Sequence, residues 1–277
     1  MLPTLGVWLA HFEYHATRRF EPEDTPATRS GRERDALARA PVLLQCEARC
    51  VGEHLLEQAR RSAGNEASAL LRVLELLIAE EQHHARLLRS FAQPGAGGTA
   101  AARIGSVPWL IGLLRRSGGF EAALTVLAAT ELIGSVYYRV LGQAARSAPL
   151  RALCRAILAD ELSHIGLLSE LLAALRAGRS RRARALTGTS ERLLLSSLAL
   201  VVWLAHGRLL RRCGCDWRRF RAACRAQYEL HLGPAPACAP ASSSAPGEEL
   251  RADIAEGLEL EHVAGRVVEE HGRLLAR

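Results

Sequence analysis

Lysine is missing from this chain altogether. All 36 of its basic residues are arginine, set against 29 acidic residues for a net charge of +7 over 277 residues. Such uniform usage reflects codon bias as much as function, so the positive balance does not by itself designate a nucleic-acid binder. The densest arginine cluster is Arg208, Arg211, Arg212, Arg218, Arg219, Arg221 and Arg225. It reads as the solvated faces of two helices, and nucleic acid is not expected as a partner. Long apolar runs are also lacking. The longest, "LLLSSLALVVWLA" at 193–205, is too short to span a bilayer and reads as a buried helix, so no membrane is expected either. The first residues, "MLPTLGVWLAHFEYH", have neither a basic n-region nor a clean cleavage site and do not read as a signal peptide. The seven cysteines follow no disulfide-framework spacing. Cys46, Cys50 and Cys154 fall in helical frames as reduced core residues, and no second pair completes Cys213-Gly-Cys215 as a zinc site. A reducing cytoplasm fits this usage.

Strand signals are scarce too, and helical periodicity dominates. The expected fold class is all-α. The chain is long enough for one large core or two modest ones. Residues 1–39 read as a short helix and a charged N-terminal arm. Helices follow at about 41–62, 66–91, 120–146 and 149–177. The connection 99–119 is long enough to cross a bundle. "GRSRRAR" at 178–184 reads as a basic hinge. Accessory helices at about 189–212 and 216–231 complete a segment 178–232. "GPAPACAPASSSAPG" reads as a flexible linker over 233–247, and a last helix lies within 248–277.

One stretch occurs twice. "LIAEEQHHARLL" (77–88) and "ILADELSHIGLL" (157–168) superimpose without a gap, so that Glu81 falls on Glu161 and His84 on His164. The i, i+3 spacing sets Glu and His side by side on one helix face. In both copies that face is apolar: Leu74, Leu77 and Leu88 in the first, Cys154, Ile157 and Leu168 in the second. Each copy has an upstream glutamate where periodicity asks for leucine, Glu47 for the first and Glu131 for the second. A buried carboxylate needs a partner. The turn at Gly64-Asn65 lies midway between Glu47 and Glu81, and the turn beside Ser147 midway between Glu131 and Glu161. In antiparallel hairpins each pair is therefore level. Glu53, the rival to Glu47, sits about 9 Å off that level and on a polar face. Glu80 and His83 form an overlapping E-x-x-H, but the second copy has Asp160 and Ser163 there. They are assigned to an adjoining face as solvated or outer groups. A third E-x-x-H, Glu259 and His262, has charged surroundings and reads as a solvated face.

Two helices with one Glu each and two with E-x-x-H make the ligand set of di-iron carboxylate four-helix bundles. Over roughly residues 40–175, within a bundle domain read as 40–177, the chain resembles the ferritin-like superfamily, and "ATELIGSVYYRVL…ILADELSHI" is similar to a group of bacterial ferritin-like proteins. The resemblance implies a four-helix bundle with a long crossover between its second and third helices, plus additional C-terminal helices. It implies two metal ions, iron most often and manganese as the alternative. Glu47, Glu81, His84, Glu131, Glu161 and His164 would hold them, with Glu81 and Glu161 bridging.

Mixed carboxylate and imidazole ligation suits iron or manganese and leaves positions open for a further ligand. His54 and Tyr138 lie seven residues after Glu47 and Glu131 and should point into the bundle. His54 could serve as a seventh ligand or a proton donor, and Tyr138 in hydrogen bonding or electron transfer. Each could equally be a satisfied core polar group. The leading expectation is an oxygen-activating oxidoreductase acting on a small organic substrate and fed by an external electron donor. Iron handling of the ferroxidase type and a metal-free structural bundle are the alternatives. A homodimer is compatible with all three.

Overall fold

The structure, a computed structural model, describes residues 4–20, 54–62, 67–91 and 119–233. Every described residue belongs to one compact unit, Met1–Gly233. Glu47, Glu53, the connection 99–118, the linker from 234 onward, the last helix, Cys46, Cys50, Glu259 and His262 lie outside the described residues. Among the described residues the fold is all-α, with seven helices and no strand. They are α1 (Leu5–Ala16), α2 (54–62), α3 (Ala67–Phe91), α4 (Phe120–Ala144), α5 (Ala148–Leu175), α6 (Arg181–Arg212) and α7 (Trp217–His231).

Local chemistry explains the helix limits. Ser147 is extended ahead of α5, and Pro149 falls in the first turn, where its missing N–H costs nothing. Asp216 caps α7 by accepting from the Arg219 amide at 2.8 Å. Between α6 and α7, Gly214 adopts φ +79°. The Gly214 amide donates to the Arg211 carbonyl at 3.0 Å and the Cys215 amide to the Leu210 carbonyl at 2.9 Å. This pair of bonds closes a helix end through a left-handed glycine. The basic hinge is shorter than its sequence suggests. α6 begins at Arg181 rather than near 189, because the Ser180 hydroxyl accepts from the Ala183 amide and the arginines and alanines that follow are good helix formers.

α4 and α5 form the closest antiparallel pair, joined across the turn at 145–147. Gly142 makes this approach close: a Cβ there would lie 2.9 Å from the Cys154 Cβ. Two apolar clusters build the interior. One gathers Phe12 of α1, Leu55 of α2, Leu74 and Leu77 of α3, Leu124 of α4 and Leu168 of α5. The other gathers Leu88, Leu132, Tyr138, Leu153 and Ile157 with Leu195, Leu198, Phe220 and Tyr228 of α6 and α7. α1 belongs to the interior rather than to a peripheral arm. Phe12 is fully buried, and the Trp8 indole N–H donates to Glu170 of α5 at 2.9 Å. Gly166 admits the Trp8 ring, which a Cβ there would meet at 2.9 Å.

Two described helices, α4 and α6, are long and apolar enough to cross a membrane. The apolar stretch of α4 is 78% buried, as a core helix should be; that of α6 is only 33% buried. The reading of 193–205 as a buried helix is therefore corrected. Leu195, Leu198 and Ala199 face the core, but Leu193, Leu200 and Leu204 are exposed. The run is apolar on two faces, and the described residues pack against one of them.

Candidate metal centre

The buried carboxylates interrupt the core at one level, between the two apolar clusters. Glu81 of α3, Glu131 of α4, and Glu161 and His164 of α5 each offer a ligand atom, and these atoms lie within 4.8 Å of one another. They are four of the six sequence-named ligands. His84 joins through Glu81, whose Oε1 lies 3.1 Å from His84 Nδ1 and 3.2 Å from His164 Nδ1. Glu81 thus sits between the two imidazoles. Glu47 is outside the described residues. His54 opens α2, is partly buried, and is not among the four that converge. Tyr138 is buried, about two helix turns after Glu131 along α4.

The outer contacts reveal a reciprocity. His84 Nε2 lies 2.8 Å from Asp160 Oδ2, and His164 Nε2 lies 3.0 Å from Glu80 Oε2. Glu80 and Asp160 precede the two superimposed glutamates, so each copy of the motif supplies the outer partner for the other copy's histidine. Of the two readings of Glu80, solvated or outer group, the structure bears out the second: it is 5% exposed and lies against His164. The sequence signal was present, since an acidic residue precedes the glutamate in both copies, but only the packing of α3 on α5 shows what it touches. His83 is buried elsewhere, its Nε2 2.9 Å from the Phe20 carbonyl oxygen. α1 supports the same layer. Phe12 stacks on His164 with centroids 5.8 Å apart, and His15 Nδ1 lies 3.6 Å from Asp160.

Charge distribution follows from these contacts. Burial alone would lower the pKa of His84, but bonding to Asp160 and Glu81 outweighs it and raises the pKa to about 9. His164 is likewise raised by Glu131, Glu80 and Glu81 against its burial. Burial works to raise Glu81, yet the His164 and His84 imidazoles beside it hold it well below the ordinary carboxylate range. Glu161 goes the other way. Burial, then the adjacent charge of Glu131, raise it well above the ordinary range. Burial and the charges of Glu161 and Glu81 keep the Tyr138 phenol protonated.

Two atoms carry the test of whether this donor set fits a cation. Glu161 Oε2 and His164 Nδ1 are buried without a hydrogen-bond partner. His164 Nδ1 lies 3.2 Å from Glu81 and 3.6 Å from Glu131 but is aligned with neither. A bare buried carboxylate oxygen and a bare imidazole nitrogen are costly in a purely structural cluster. Both are natural donors to a divalent ion. Gly134 borders the Glu161 carboxylate, which a Cβ there would meet at 3.4 Å.

Fold and cluster together define an all-α protein with a buried carboxylate–imidazole site able to hold a metal ion. No protein-family model matches the chain, and no curated protein or solved structure matches it.

The reciprocal contacts give a prediction. Asp160→Ala and Glu80→Ala should each weaken metal affinity by about 10- to 100-fold with every ligand intact, because each leaves one histidine ring without its outer partner. Chelator competition reads this directly, and unchanged affinity in both variants would reduce the reciprocity to a packing accident.

Proposed function

We propose that this chain is a dimetal carboxylate protein of the four-helix-bundle type, an oxidoreductase that uses oxygen to oxidise a small organic substrate. The observation that carries the reading is the convergence of Glu81, Glu131, Glu161 and His164 with two buried, unpartnered donor atoms. Glu81, Glu131, Glu161, His84 and His164 would hold the metals, with Glu47 completing the set. Iron, or manganese in its place, would supply redox chemistry with dioxygen as oxidant. The chain's own residues prepare the surroundings. Leu74, Leu77, Ile157 and Leu168 are at most 1% exposed and keep bulk water from the layer. The Tyr138 phenol is kept protonated by burial and by the charges of Glu161 and Glu81. Asp160 and Glu80 fix the orientation of the two imidazoles. Oxidation over storage is favoured by Tyr138, an oxidisable group buried in the same bundle, and by α6 and α7, which build a second core against α4 and α5. Turnover requires an external electron donor.

The test begins with metal analysis of protein purified without chelator, followed by anaerobic reduction and admission of oxygen while its consumption is recorded. About two metals per chain and oxygen consumption that Glu81→Ala abolishes are expected. Uptake of many irons per chain with mineral formation would make iron handling the function. A loaded, reduced centre that leaves oxygen untouched would defeat both redox readings.

A further inference from the structure

We infer that α6 docks the protein on the surface of an anionic lipid bilayer, through a line of exposed leucines bracketed by arginines. The inference is independent of the metal reading. Leu186, Leu193, Leu200 and Leu204 are 71%, 66%, 45% and 76% exposed. Their separations of seven, seven and four residues place them within about 40° of one another around the helix, along about 27 Å of its length.

The polar residues on this line are already satisfied. The Ser190 hydroxyl donates to the Leu186 carbonyl at 3.1 Å and the Ser197 hydroxyl to the Leu193 carbonyl at 2.9 Å. Beside them, Thr189 and Ser196 donate to Ala185 and Arg192 in the same way, at 2.9 and 2.7 Å. Such back-bonding removes the need for water, which is what contact with lipid demands of a hydroxyl.

Charge selects the occupant. Arg181, Arg182 and Arg184 precede the line, Arg208, Arg211 and Arg212 follow it, and all six are exposed. The one acidic residue of α6, Glu191, is buried and engaged by Arg176 and by the Tyr228 hydroxyl at 2.8 Å. The exposed surface of α6 therefore carries positive charge alone. Apolar side chains between basic ends suit a helix lying at the headgroup boundary of an anionic membrane. The opposite face, with Leu195, Leu198, Ala199 and Leu210, is packed in the core, so the helix lies along the surface and does not cross it. A second copy of the chain fits less well. An antiparallel α6 pair would set Arg182 against Arg211 at both ends, and a parallel pair would align each arginine with itself.

The experiment is flotation of the full chain with vesicles of phosphatidylglycerol and phosphatidylcholine, and with phosphatidylcholine alone. Binding to the anionic vesicles, weakened by salt, is expected. Leu193→Ser/Leu204→Ser should reduce it by about tenfold or more with the circular dichroism spectrum unchanged, since both side chains are exposed. Arg182→Gln/Arg208→Gln/Arg211→Gln should remove the preference for anionic lipid. A Glu161→Gln chain should bind vesicles as the unaltered chain does, which separates this inference from the metal site. No association with anionic vesicles would overturn it, as would undiminished binding of the leucine variant. A dimer in solution that the leucine variant dissociates would assign the stripe to a second copy and overturn it too.

Discussion

Glu161→Gln will fail to bind metal under the proposed function and yet, with chelator present at pH 7, will unfold at a higher denaturant concentration than the unaltered chain. Three carboxylates, Glu81, Glu131 and Glu161, share a volume less than 5 Å across with one imidazole. The imidazoles compensate Glu81, but Glu161 has an oxygen without a partner and the charge of Glu131 beside it. A cation would relieve this repulsion; the metal-free fold must tolerate it. Because burial and Glu131 raise the Glu161 pKa in the folded state, the unfolded chain gives up this proton more easily than the folded one. Stability contributed by the protonated group is complete below the unfolded value, near 4.5, and is lost as pH rises toward the folded value. Glutamine has no proton to lose. The advantage of the variant should therefore be small at pH 4 and grow to about 1–3 kcal/mol by pH 7. Urea midpoints across that range, with chelator, are the measurement. A variant less stable than the unaltered chain at every pH would show that Glu161 is satisfied within the fold and is no cation ligand.

His206 should make the fold sensitive to mild acid. It is 3% exposed in α6, stands edge-on to Tyr137 with centroids 5.5 Å apart, and has Nδ1 buried without a partner. Burial lowers its pKa to about 4. Its folded pKa is depressed, so the neutral ring's contribution is present above the unfolded value of 6.5 and is lost as pH falls from there toward 4. Between pH 7 and pH 5 this amounts to about 2 kcal/mol. His206→Phe keeps an aromatic ring against Tyr137 but cannot bind a proton. The unaltered chain should therefore lose about 2 kcal/mol more than the variant over that interval. Equal losses would mean that the folded protein accommodates the charged ring.

The duplicated E-x-x-H and the turn positions were enough to name the residues that converge. Hydrophobic periodicity marks each glutamate as core-facing, and equal distances from a turn bring two of them level. Such arithmetic depends only on helix rise and antiparallel pairing. The outer partners were less legible. Glu80 and Asp160 stand one residue off the apolar face, and a step of 100° leaves open whether a side chain meets solvent or the neighbouring helix. The packing of α3 on α5 decides it, burying Glu80 and half-burying Asp160 against the opposite histidine. α6 failed for a related reason. A run that is apolar on two faces looks the same whether one or both are covered.

By itself the sequence determined the all-α class, the main helix limits around the site, and the donor types that one level of the core must contain. These follow from local rules: periodicity, capping, and the cost of burying an unpaired carboxylate. Only the tertiary structure decided that Glu81 lies between two imidazoles, that Phe12 and His15 of α1 support the same layer, and that the leucines at 186, 193, 200 and 204 face outward. Those are properties of how helices far apart in sequence meet. The energy of such contacts comes from shape and charge across the interface, which no single helix encodes alone.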